Sequence, residues 1–209
     1  MLPFGKRYIR HVAQESENLR FIFSGSNRHI LEMMFDDRTR PLYSLCDRIT
    51  IDRIHETDYL AYMHKVAEKT WEKTVDESVF SEILALTECH PYYVNVLCDK
   101  VWNECENKIP TKLIVRNLWQ DYILQEKTKV AKELSSLNMS QRKILIEIAQ
   151  GSTKNLMGKA SLKKLDFSSA TVMKSLRLLE EQDYINRDKN EEYFLVDPLI
   201  KASILLFFP

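Results

Sequence analysis

Ser24, Ser26, Asn27 and Arg28 follow directly on the apolar run LRFIFS, residues 19–24, in the stretch FSGSNR. Two hydroxyls, an amide and a guanidinium at the end of a strand can hydrogen-bond the terminal phosphate of a nucleotide or orient a water. The same residues also suit a tight turn, with Ser26 or Asn27 capping the next helix. A second group lies in CHPYYVNVL, residues 89–97. Pro91 there occupies a helix start, where free N–H groups gather and a missing one costs nothing. Its flat ring offers an apolar contact for a base, with His90 as a polar edge; an ordinary helix start is the alternative reading. A third group is cationic: Lys163 and Lys164, with Lys159, precede Ser169, Lys174 and Arg177. Cations and hydroxyls on one helix face are what a duplex-reading helix needs.

These groups need elements to hold them. The run LRFIFS is apolar on both faces, as in a strand buried in a parallel sheet, and Gly25 ends it. The stretch NRHILEMMF then spaces Ile30, Leu31, Met34 and Phe35 as one helix face. DRITIDRI, residues 47–54, alternates and is β-branched, which predicts a second strand and part of a βαβ sheet. Beyond Glu56 the pattern is helical. Leu60, Met63, Ala67 and Trp71 form one stripe, and Val79, Ile83 and Leu86 another. Val94, Leu97, Val101 and Cys105 form a third, and Val115, Leu118 and Tyr122 a fourth. No Gly/Ser linker separates them, so one bundle is expected.

The last segment opens with Asn138 and Gln141 at capping-box spacing, and Gly151 closes that helix. A short helix near GKASLKKL follows, then a helix capped by Ser168 that buries Val172, Leu176 and Leu179. DYINRDKNEEYFLVD, residues 183–197, reads as two short strands joined by a polar turn. Helix, helix, helix, hairpin is the order of a winged helix-turn-helix. Its Glu180 and Glu181, and the net acidic turn RDKNEE, oppose phosphate contact. Protein binding and structural use therefore stand beside DNA binding.

The totals set bounds. Thirty basic and thirty acidic residues cancel, so no global charge favours nucleic acid or acidic lipid. Cys46, Cys89, Cys98 and Cys105 form no CxxC pair, which predicts reduced thiols and no metal site. The opening MLPFGKRYIR turns polar too soon for a signal peptide. No apolar run approaches the roughly 20 residues that span a bilayer. A cytoplasmic protein without membrane contact is expected. No GxxxxGK[ST] loop occurs, so nothing cradles a nucleotide's phosphates, and no catalytic centre assembles from this chain.

Taken in order, FIFSGSNRHILEMMF with RPLY, then HPYYVNVLC, then FLVDPLI resemble the C-terminal half of the archaeal-type ATPases. These are AAA+-related P-loop proteins of the STAND signalling class, also found in bacteria. The resemblance covers nearly the whole chain. It implies a mostly α chain with a small α/β remnant: a partial AAA+ core sheet over residues 1–54, a helical lid bundle over 55–134, and a C-terminal winged helix-turn-helix over 135–209. It places Ser24, Ser26, Asn27 and Arg28 at the sensor position after the fourth core strand. It also places His90 and Pro91 in a lid motif beside the adenine. Cys89 stands where the family usually has glycine. Asp197 matches the acid of a histidine–aspartate pair that senses nucleotide from the winged helix, with Val196 in place of the histidine. The Walker A loop and the magnesium-binding acidic strand have no counterpart here. An intact relative would bind ATP or ADP with magnesium; this chain alone is expected to hold neither tightly and to hydrolyse nothing. The expected partner is an ATPase half supplied in cis or in trans, with duplex DNA, a protein or a second copy as further partners. A non-enzymatic winged-helix DNA-binding regulator or interaction adaptor is the alternative function.

Overall fold

The structure is a computed structural model that describes residues 3–25, 28–49, 51 and 53–208, with side chains from Tyr8 onward except those of Arg28 and His29. It divides into two compact units, residues 1–51 with 181–183, and 52–180 with 184–209. Among the described residues the protein is mostly helical, with one small two-stranded antiparallel sheet.

In the first unit, α1 (Pro3–Glu15) and α2 (Arg28–Phe35) are the regular elements. The two strands expected over residues 19–24 and 47–54 do not form among the described residues. Their apolar side chains lie largely in solvent: Ile22 is 96% exposed, Ile49 85% and Ile51 84%. A strand exists only through hydrogen bonds to a neighbour, and no described segment supplies that neighbour. The expected partial core sheet is therefore not present among the described residues. What order there is comes from side chains. The Phe23 ring packs on Phe35 with centroids 4.9 Å apart. Arg10 Nη1 donates to the Pro41 carbonyl at 2.9 Å, and Arg48 pairs with Asp36.

The second unit begins with a helical bundle, α3 (Glu56–Trp71), α4 (Glu77–Thr87), α5 (Pro91–Glu104) and α6 (Lys112–Ser135). The predicted stripes are buried with small shifts. Tyr59 rather than Leu60 leads the stripe of α3, and Phe80 and Leu84 join that of α4. Trp119 joins that of α6. Asp76 caps α4 by accepting from the Ser78 N–H at 2.8 Å, as a short acidic side chain ahead of a helix does. Trp71 is buried against Trp102 and donates its indole N–H to the Cys105 carbonyl, which closes α5.

The rest of this unit holds α7 (Met139–Ala149), α8 (Lys159–Leu165), α9 (Ser169–Glu181), β1 (Ile185–Arg187), β2 (Tyr193–Leu195) and α10 (Pro198–Phe207). The Asn138–Gln141 capping box is present in both directions. Gly151 follows α7 at φ +100°, a backbone that side-chain-bearing residues rarely adopt. The strands pair antiparallel with Ile185 opposite Leu195 and Arg187 opposite Tyr193. One apolar core runs from Tyr59 to Ile204 through bundle and C-terminal segment alike. No helix among the described residues is long and apolar enough to cross a membrane.

Candidate functional site

The site is built where α4 ends and α5 begins. Glu88 and Cys89 both adopt left-handed backbone, φ 50° and 54°, so the chain reverses in two residues. That geometry is why a glycine would be expected at Cys89, since left-handed backbone costs other residues roughly 1–2 kcal/mol. Cys89 is held there by its N–H donating to the Leu84 carbonyl, and burial raises its thiol pKa. His90 then takes an extended conformation and Pro91 starts α5, leaving the proline ring exposed.

The His90 ring lies 5.0 Å from the Tyr93 ring, and its Nδ1 is buried without a hydrogen-bond partner among the described residues. Burial, and then the neighbouring Arg53 cation, depress its pKa, with Asp197 acting in the opposite sense. Burial and the Arg53 charge both favour the neutral imidazole, an apolar ring with one unused polar edge.

Tyr93, only 6% exposed, reaches across to Asp197. Its hydroxyl donates a bifurcated bond to both carboxylate oxygens, at 2.9 and 2.8 Å. Burial first, then the Asp197 charge, push the phenol pKa far up. Asp197 Oδ1 also accepts from the backbone N–H groups of Leu199 and Ile200, capping α10.

Arg53 completes the joint. Its Nη1 donates to the Glu88 carbonyl and its Nη2 to the Val196 carbonyl at 2.8 Å. The Glu88 carboxylate lies 3.6 Å from Arg53 and accepts from Lys201 Nζ of α10. Val196 thus enters through its backbone.

His90, Pro91 and Asp197 are therefore gathered in one place. Of the other expected site residues, Ser24 is exposed in the first unit, Ser26 and Asn27 lie outside the described residues, and Arg28 is described only as the start of α2. Lys163 and Lys164 end α8, and Ser169, Lys174 and Arg177 are exposed on α9. Several cations of this segment already have carboxylate partners. Lys164 pairs with Glu147 at 2.7 Å, Lys154 with Glu192 at 2.6 Å, and Arg187 with Glu180 and Glu191. Arg53, Glu88, Tyr93 and Lys201 escaped the sequence reading. Arg53 looked like part of a strand, and a tyrosine that bonds a residue 104 positions away leaves no local pattern.

No protein-family model matches the chain, and no curated protein sequence does. Among solved structures, it superposes on the Walker-type ATPase PABY2304 of Pyrococcus abyssi with a TM-score of 0.68 at 16% identity. The likeness covers 96% of this chain and 58% of that one. The fold is distantly P-loop ATPase-like. This chain spans a little over half the length of that neighbour.

Proposed function

We propose that this chain is the C-terminal part of a STAND/AAA+-like signalling ATPase: its sensor region, helical lid and winged helix-turn-helix. The observation that carries the reading is the fold likeness to a Walker-type ATPase over almost the whole chain. The motif order supports it, from FSGSNR through HPYY to VDPLI. In this reading α3–α6 are the lid and α7–α10 the winged helix, with Ser24, Ser26, Asn27 and Arg28 as the sensor.

The donor set fits one end of a nucleotide. An exposed Pro91 ring beside a neutral His90 with an unused Nδ1 suits the face and edge of an adenine. Asp197 is already engaged by Tyr93 and two backbone N–H groups, and in this reading its role is to hold α10 in register with α5. Phosphates and magnesium would be bound by groups that this chain does not carry. ATP, when bound, supplies the phosphoryl bond whose hydrolysis resets such a switch. The residues here orient the lid toward the base. They activate no water.

The function thus depends on an ATPase half in cis or in trans, and a second copy of the chain is a further candidate partner. The DNA-binding alternative has less physical support, because Lys164 at the end of α8 and Arg187 at the hairpin are each paired with carboxylates of the chain itself. The test is phosphate release. The purified chain with Mg-ATP should match a heat-denatured control, and adding a Walker-loop polypeptide from the same cell should restore turnover. Turnover by the chain alone would overturn the proposal.

A further inference from the structure

We infer that the helical bundle α3–α6 and the C-terminal segment α7–α10 move as one rigid body, locked by the Arg53–Glu88–Lys201 clamp and the Tyr93–Asp197 bond. Three independent features of the second unit carry this. First, the core has no seam: α10 buries Leu199, Ile200 and Ile204 while packing on α4 and α6 of the bundle and on α7 and β2 of the segment. Second, the connection between α6 and α7 is three residues long, and its central Leu137 is 5% exposed. A hinge needs slack that a buried connector does not have. Third, the polar links cross the joint at two separate points. The Arg53 guanidinium ties Val196 to Glu88, and Lys201 holds the same Glu88 from α10. Tyr93 and Asp197 join α5 to the cap of α10.

Swinging α7–α10 away would therefore strip an apolar interface and leave the buried Tyr93 hydroxyl, the Val196 carbonyl and the Lys201 ammonium to find new partners together. Such coupled losses favour a single cooperative opening over a local one. A displacement of the α5 N-terminus is then carried into the C-terminal segment through α10. That consequence for signalling rests on the nucleotide-switch reading, whereas the rigidity does not.

Native-state hydrogen exchange of the full chain in low denaturant tests this. The slowest amides of α5 and α6 should merge with those of α7 and α10 on one denaturant dependence. Arg53→Ala should speed both groups by a common factor, on the order of ten-fold. Two distinct dependences, with α7–α10 opening while the bundle stays closed, would overturn the inference. So would a substitution effect confined to the C-terminal segment. If Arg53→Ala does not fold, the wild-type dependences and Arg53→Lys give the same decision. The measurement needs no nucleotide, so its failure is distinct from failure of the proposed function.

Discussion

Replacing Asp197 by alanine removes two things at once. Its Oδ1 caps α10 through the Leu199 and Ile200 N–H groups, and such a cap contributes about 1 kcal/mol. Its carboxylate is also the acceptor for the Tyr93 hydroxyl, and stranding that buried group costs roughly 1–3 kcal/mol. Asp197→Ala should therefore lose about 2–4 kcal/mol, a large share of a typical domain's stability. Asp197→Asn keeps an oxygen for both duties and should lose about 1 kcal/mol. Tyr93→Phe removes the donor but leaves the cap, and should lose about 1–2 kcal/mol. Urea unfolding followed by tryptophan fluorescence and circular dichroism measures each loss, and the double variant gives the coupling. Because both act on one shared bond, Asp197→Ala and Tyr93→Phe should fall short of additivity by about 1 kcal/mol or more. Additive losses, or an Asp197→Ala loss below about 0.5 kcal/mol, would refute it.

Three further outcomes follow from the same geometry. The Tyr93 pKa is raised from its ordinary 10.0, so above about pH 10 the unfolded chain gives up this proton while the folded chain keeps it. Stability should be intact below that pH and fall as pH rises beyond it, and Tyr93→Phe should make the alkaline slope of the urea midpoint shallower. His90 runs the other way. Its pKa is lowered from 6.5, so below that pH the unfolded chain takes the proton first and stability falls on acidification, an acid-side slope that His90→Gln should flatten. Among the cysteines, burial pushes Cys98 up to about 12 while Cys46 is exposed. Iodoacetamide at pH 8, read by peptide mass spectrometry, should label Cys46 well before Cys98.

Where local rules act alone, the sequence was a good guide. Asp76, Asn138 and Ser168 announce helix starts by side-chain chemistry that operates within three residues, and each cap is present. The stripe Val94–Leu97–Val101–Cys105 is buried as its spacing requires. The two expected core strands failed for a physical reason. LRFIFS specifies apolarity but not a partner, and a strand's hydrogen bonds belong to its neighbours. The site was half legible. His90 and Pro91 stood out because proline at a helix start is a strong local signal. The groups that tie them to α10 did not, because Arg53 and Lys201 are ordinary surface residues until the fold brings Glu88 between them.

We propose that this chain works as one part of a nucleotide-driven ATPase. The most direct measurement is an affinity purification from native cells with an antibody against residues 135–209, read by immunoblot and mass spectrometry. Either a polypeptide well above 24.7 kDa that carries a Walker loop, or a 24.7 kDa chain in stoichiometric complex with one, is expected. A 24.7 kDa chain with no Walker-loop protein attached, in cells with or without added Mg-ATP, would contradict it.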